Sequence, residues 1–485
     1  MSNVIASLKS GKSSSDDVIS NDILKCLSSA SRIGLTKLFN VCLASGKYPW
    51  NNSLITPLHK KGNKFNPDNY RAIAVGSCIG KAFSAILLNR IIAFKDKFSA
   101  DPPNQMGFTK NAQTMDHILT LKTVIEKYRK NSQKVYCVFV DLRKAFDSVP
   151  RSALLYKLAK MGIRGNVFSV IRNMYDNSTC QLKLNNKLSR KLNICKGTEQ
   201  GHTLSPELFK SYLQDASPLL NFGNIPAIDD MLLSHLLWAD DLVLMALDLD
   251  TAQKLFGTFV DYCKSWGLEI NQSKTDLVIF NKKTLKGNQE FVYLEETPIK
   301  TVAAYTYLGV TLHMSGSMST AVHSLRSKAI RAVFALRKYI VRDKLSFKSL
   351  LNLFDALVKP ILLYGSSIWA PLQPVSKTLL KTLTGQGTRD NLLTGLIEKF
   401  AKDPIESVQL RYIKWAFGVH KYASNLGCWG DSGRMPLYDA GIRQAVKYLN
   451  RLEQLPTHLL VRKALNDQKN SVSLGIQHFM PSEVA

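Results

Sequence analysis

Residues 235–247 read HLLWADDLVLMAL, two adjacent aspartates set inside an otherwise apolar run. Leu236, Leu237, Trp238, Leu242, Val243 and Leu244 demand a core, yet Asp240 and Asp241 repel each other and resist losing water. The run splits into two short apolar strands around an acidic tip, which predicts a β-hairpin. A divalent cation at the tip removes both penalties. Oxygen-only ligands suit Mg2+, which keeps several waters and borrows substrate phosphates. A solvent-exposed turn, where aspartate is common, is the plain alternative. A second acid weighs against it: VYCVFVD (135–141) reads as a buried strand ending in Asp141. Asp141, Asp240 and Asp241 could then share a site for two ions roughly 3.5–4 Å apart, clamping an attacking hydroxyl and a leaving pyrophosphate.

The charge balance points the same way. Among 485 residues, 64 Lys and Arg oppose 37 Asp and Glu, for a net charge of +27. Such an excess fits a polyanionic partner, since each neutralised phosphate releases a counterion. No uninterrupted apolar run approaches the ~18 residues of a membrane span, and MSNVIASLKSGKSSSDD lacks the apolar core of a signal peptide. The eight cysteines have neither a C-x-x-C pair nor a histidine at finger spacing, so free core thiols in a reducing compartment are expected.

Along the chain, the first ~50 residues read as helical. QTMDHILTLKTVIEKY predicts an amphipathic helix with Ile118, Leu121, Ile125 and Tyr128 on one face. SVPRSALLYKLAKMG predicts a helix with Pro150 near its start, Asp147 as N-cap and Gly162 just past its end. Ser205 is expected to cap another helix, with Pro206 at its first position and Glu207 in its first turn. This alternation implies an α+β sheet with helices on one face. From about 320 the pattern is helical and basic: Val322, Leu325, Ala329, Val333 and Leu336 lie opposite Arg326, Lys328, Arg331, Arg337 and Lys338. Residues 372–390 read as a linker, and 391–485 as a helical C-terminal region.

VFVDLRKAFDSV, GTEQGHTLSPELFKSYL, WADDLVLM, GLEINQSKTDLVIF and YTYLGVTL, in that order, resemble the palm of a reverse transcriptase of the non-LTR (LINE-like) retrotransposon branch. ITPLHKKGNKFNPDNYRAIAVGSCIGKAFSAILLNRI and QMGFTKNAQTMDHI resemble its fingers, and LVKPILLYGSSIWAP the region after its thumb. The resemblance implies a right-hand polymerase with an antiparallel palm sheet. It would comprise an N-terminal extension (1–50), fingers and palm (51–315) and a thumb (316–371) before the linker and tail. It implies an RNA-directed DNA polymerase that takes dNTPs, an RNA template and a DNA primer. Two Mg2+ ions, or Mn2+, would serve it, with no membrane partner and with expected residence in cytoplasm and nucleus. Neither an endonuclease nor a zinc knuckle has a signature here, so the chain reads as the polymerase part of such an element and nicking would come from elsewhere.

Residue by residue, the resemblance makes Asp141 and Asp240 metal ligands, completed by Asp241. Lys274 would protonate the leaving pyrophosphate, or else form a surface ion pair. Phe146 would gate out a 2′-hydroxyl, or simply pack in the core. Lys60, Lys61 and Arg71 would reach the triphosphate; a solvated basic loop is the alternative. Gln200 and Gly201 would lie beside the incoming base and template, and Tyr307, Leu308 and Gly309 would form the primer grip. Arg326, Arg331 and Arg337 would line the thumb's duplex face, or be a solvated helix face. Four departures from the usual pattern stand out: Glu199 for Arg or Pro, Trp238 for Phe or Tyr, Thr203 for Pro, and the SSS of 13–15 for a Gly- or Pro-rich turn. Glu199 is expected to repel the triphosphate and raise the nucleotide KM. The rival readings are a non-catalytic nucleic-acid-binding relic and a polymerase of the intron or telomere type.

Overall fold

The computed structural model describes residues 1–485 except 14, 16, 99–100, 186, 283–289, 373–401 and 474–485. The expected linker therefore lies, apart from Leu372, outside the described residues. The chain opens with helices Ser2–Ser7, Asn21–Lys25 and Ser29–Ser45, the last ended by Gly46 in the left-handed region. A first sheet pairs Asn52–His59 antiparallel with Tyr70–Gly76 and parallel with Thr179–Leu184.

The second sheet carries the acids. Its order is Lys300–Thr301, Asp276–Phe280, Val135–Val140, Asp241–Ala246, His235–Trp238, antiparallel except at the short Lys300–Thr301 edge. All six residues of Val135–Val140 are buried, which explains their unbroken apolar run. The order is that expected of a right-hand polymerase: a strand pair for the fingers, an antiparallel palm sheet, and helices Ser319–Tyr339 and Phe347–Leu357 where the thumb is expected.

Helices cover both faces of the palm sheet, not one. Cys137, Phe139, Val243, Met245 and Val278 pack with Ile118, Leu121 and Ile125 of helix Thr114–Lys130 and with thumb and C-terminal residues. Val138, Val140, Leu242, Leu244 and Leu277 face the other way, toward Leu208, Phe209, Phe256 and Phe259 of helices Ser205–Leu213 and Leu249–Ser265. Helix Thr114–Lys130 is likewise not amphipathic in its setting, because every residue from Met115 to Glu126 is buried. Its polar face is covered by C-terminal helices Leu437–Glu453 and Leu460–Ser473, through Asp116–Arg451, Thr123–Gln468 and Lys127–Asp467 bonds.

Three local expectations are corrected. Asp147 caps nothing: it sits inside a short helical turn, Ala145–Ser148, and Pro150 occupies the N-cap of Arg151–Lys160. Ser205 is the first helical residue and Leu204 the N-cap, with no side-chain cap bond. Not every thiol is a core thiol, since Cys26 and Cys195 are exposed while Cys42, Cys78, Cys137, Cys263 and Cys428 are buried. Among the described residues no single helix is long and apolar enough to cross a membrane. The bent pair Phe347–Leu362 and Ser366–Leu372 approaches that composition because Leu351, Phe354, Leu362, Ile368 and Trp369 belong to the core.

Candidate active site

The hairpin forms as its sequence predicts, with Asp241 opposite Trp238 and a two-residue turn of Ala239 and Asp240. Leu242 pairs with Val140, so the same register carries Asp241 to the level of Asp141 at the end of the central strand. Ala239 is buried with φ of +58°, a conformation that a non-glycine residue adopts only under external support. That support is the segment 104–107. Leu237 N–H donates to Asn104 O (3.0 Å) and Met106 N–H to Leu237 O (3.2 Å). Gly107 then lies flat on the turn, where a Cβ would stand 2.2 Å from Ala239 N.

Asp141 is held from the other side by the segment after helix Leu249–Ser265. Its N–H donates to Thr275 Oγ1 (3.3 Å) and its C=O accepts from Asn271 N–H (2.8 Å). Its Oδ2 accepts from Asn271 Nδ2 (2.9 Å) and Lys274 Nζ (3.1 Å). Burial, then Asp240 and Asp141, push the Asp241 carboxyl up to about 6, with Lys274 opposing. Asp240 is also raised, first by burial and then by Asp141, against Arg71 and Lys274. The three carboxylates thus share a site short of positive charge.

That donor set suits a hard divalent cation, which would relieve both desolvation and mutual repulsion. Among the described residues no three His, Cys, Asp or Glu side chains close into a complete cation site. An ion there would need water and substrate oxygens, as Mg2+ does when it binds through one or two carboxylates and phosphates.

The family model for reverse transcriptase (RNA-dependent DNA polymerase) matches residues 58–312, from the fingers strands through the Tyr307–Gly309 turn. The chain belongs to the reverse transcriptase family. Reverse transcriptases in general use divalent metal ions. The chain is 26% identical over 378 residues to the RNA-directed DNA polymerase from the mobile element jockey of Drosophila melanogaster, covering 76% of this chain and 40% of that one. It is 26% identical over 407 residues to a probable RNA-directed DNA polymerase from the transposon X-element of the same fly, covering 79% and 43%. A type-1 retrotransposable element R2 polyprotein from Popillia japonica is 26% identical over 65% of this chain and 44% of its own. The chain spans about two fifths of the length of these curated relatives. Among solved structures, a telomerase from Candida tropicalis in complex with a telomeric RNA fragment aligns over 83% of this chain and 68% of its own, at 14% identity and a TM-score of 0.41.

The other residues that the reverse transcriptase motifs single out fall as follows. Arg71 lies on the fingers strand within electrostatic reach of Asp240. Lys60 and Lys61 are exposed at the tip of that strand pair, where Lys60 N–H donates to Asn69 O (2.7 Å). Gln200 O accepts from Ala74 N–H (2.8 Å), and Gly201 has φ of +107° with a Cβ position 2.6 Å from Ala74 O. The close approach that glycine permits is therefore to the fingers strand. Phe146 stacks on Phe209 (centroids 4.5 Å apart, planes at 22°), meets Phe108 edge-on, and remains half-buried.

Tyr307 is buried, its hydroxyl 3.1 Å from His117 Nδ1. Leu308 and Gly309, both at positive φ, turn the Ala304–Tyr307 and Val310–His313 hairpin, and Tyr364 Oη donates to Leu308 O (2.7 Å). On the thumb helix, Arg331 is exposed and Arg326 half-buried. Arg337 is not free for a ligand: it donates to Arg411 O (3.1 Å) and lies 5.0 Å over the Trp415 ring.

Glu199 also departs from expectation. Its carboxyl meets the Ser53 hydroxyl and the field of Arg151, and burial, the larger effect, raises it. It lines a small cavity with Tyr48 and Met174, and a second of about 410 Å3 with Ala74, Asp147, Cys180 and Gln200. Asn271, Thr275, Gly107 and His117 were not singled out from the sequence. Each lies inside a quoted motif, but its partner is remote in the chain.

Proposed function

We propose that the chain is an RNA-directed DNA polymerase that extends a primer 3′-hydroxyl with dNTPs on an RNA template. The observation that carries this reading is the convergence of Asp141, Asp240 and Asp241, two of them driven toward protonation, at the ends of adjacent interior strands of the palm sheet. Two Mg2+ ions bound there would activate the hydroxyl and neutralise the leaving pyrophosphate.

The chain's own residues orient the reactants. Asn271 holds the Asp141 carboxylate and Thr275 its backbone, and Gly107 holds the Asp240 turn. Lys274, 3.1 Å from Asp141, offsets its charge and can deliver a proton to the pyrophosphate as that group departs. Arg71, with Lys60 and Lys61 on the same strand pair, would meet the triphosphate. Phe146, propped on Phe209, would press against the sugar where a 2′-hydroxyl would otherwise fit. Gln200 and Gly201 would border the base, and Tyr307–Gly309 would seat the primer end. Arg326 and Arg331 would follow the duplex backbone by charge and shape, without base readout.

Primer extension on RNA and DNA templates tests the reading directly. The parent is expected to extend on both. Asp141→Asn and Asp240→Asn should abolish extension while duplex affinity stays within a few-fold, because affinity rests on Lys and Arg contacts to phosphate. Turnover by either variant removes the two-ion assignment. A parent that binds duplex but never extends at saturating dNTP makes the non-catalytic relic the better reading.

A further inference from the structure

A cavity of about 970 Å3 opens beside the catalytic hairpin, and one wall is the C-terminal helix Leu437–Glu453. It starts at Trp238, which pairs with Asp241, and passes Tyr364, which holds the primer-grip turn through Leu308. Its cations are Lys359, Lys447 and Arg451, against the single acid Asp355. That acid is already engaged by Arg434 (2.5 Å) and, more distantly, Lys359 (3.8 Å). Arg451 is committed to Asp116. Lys447 is exposed and makes no ion pair among the described residues.

We propose that this cavity is the path of the primer strand leaving the active site, and that Lys447 of the C-terminal helix contacts a primer phosphate. The inference rests on the polymerase reading and gives residues 437–453 a binding role. Three observations converge on it. Trp238, which flanks the acidic turn, and Tyr364, which bonds Leu308 of the primer-grip turn, both line the cavity, so a strand with its 3′ end at the acids has this exit beside it. Its charge is that of a phosphate track, with a free ammonium where a backbone phosphate would otherwise be unpaired. Of its aromatic members Trp238, Tyr364 and Tyr448, the last is buried against Asp116 while Tyr364 is exposed, so that a base or sugar face can pack on it. Arg451 is a positioning residue here: by binding Asp116 it fixes the helix that presents Lys447.

The test uses the full chain carrying Asp240→Asn, so that binding is read without turnover. Affinity for an RNA–DNA primer-template is measured by fluorescence anisotropy across a salt series. Lys447→Glu should weaken binding roughly fivefold and reduce the salt slope by about one. Arg443→Glu is the control: it lies on the same helix, pairs with Asp439 and does not line the cavity. It should change neither quantity by more than about the general effect of one surface charge, a factor of two at most. Single methylphosphonate linkages are then placed along each strand. With the Lys447 chain, neutralising one or two primer phosphates should weaken binding, and Lys447→Ala should abolish that sensitivity. Equal effects of the Lys447 and Arg443 variants, or coupling of Lys447 to template phosphates, overturns the assignment. Because the readout is affinity, a chain that never extends a primer would defeat the polymerase reading without deciding the Lys447 contact, which the methylphosphonate coupling decides by itself.

Discussion

Asp241 is ordinarily ionised near pH 3.8, and here burial and two neighbouring carboxylates hold its titration at about 6. Between those values the folded chain binds the proton more tightly than the unfolded chain does. Stability of the metal-free protein should therefore fall as pH rises from about 4 to about 6, then level off. Asp240 is shifted in the same direction and adds to the slope. Asp241→Asn removes the Asp241 share without shortening the side chain. Thermal melts should show the variant gaining on the parent as pH rises through that window, and millimolar Mg2+ should narrow the gap. Parallel curves would mean that Asp241 titrates normally. The same scale decides the fate of Glu199. Its carboxyl meets Ser53 and the field of Arg151, which offset its charge, so Glu199→Gln should leave the dNTP KM within about twofold in steady-state extension. A large fall in KM would restore the repulsion that the sequence suggests.

At the scale of elements, the hairpin, the central strand and the thumb helix were legible because each is a local pattern: two apolar halves around acids, a β-branched run, a 3.6-residue period. What was not legible is what holds them. Asp147 has the residue type of a cap, but the chain coils into its own turn at 145–148 before Pro150 begins the next helix. Asn271 and Thr275 hold Asp141 from 130 and 134 residues away. Gly107 supports the Ala239 turn across a comparable gap, and nothing in QMGFTK reveals that the glycine is needed for contact. The contact makes a prediction. With a Cβ position 2.2 Å from Ala239 N, Gly107→Ala must displace either the 104–107 segment or the acidic turn. Misplacing reacting groups by ~1 Å costs on the order of a hundredfold in rate. Gly107→Ala should lower kcat by about that much while changing primer-template affinity little. Unchanged kcat would show that the segment yields and the turn does not.

At the scale of the whole molecule, the C-terminal helix Leu437–Glu453 meets helix Thr114–Lys130 under the palm sheet at a buried anion. Asp116, 2% exposed, opens helix Thr114–Lys130 by accepting from Gln113 N–H (2.9 Å). The same carboxylate accepts from Tyr448 Oη (2.8 Å) and from both terminal nitrogens of Arg451 (2.9 Å each). A helix read as amphipathic is buried all round for this reason, and no local period could show it, since the partners lie more than 330 residues apart. The next residue, His117, bonds Tyr307 of the proposed primer grip and meets Trp238 edge-on at 5.3 Å, so the anchor sits one residue from contacts to both the 304–313 hairpin and the acidic hairpin. Arg451→Ala leaves Asp116 buried and unpaired. The loss should be about 3 kcal/mol, toward the lower end for broken buried pairs because Arg451 is partly exposed. Adding Asp116→Asn removes the stranded charge while keeping a side chain that can still meet Tyr448 and Gln113. The double variant should therefore regain at least half of the stability lost by Arg451→Ala alone, a coupling that a double-mutant cycle of urea midpoints reads directly. Arg451→Ala should also slow extension through His117, and the double variant should recover rate along with stability. If the two substitutions are simply additive, the pair does not carry the junction, and the tail is held by its apolar contacts with the thumb and palm.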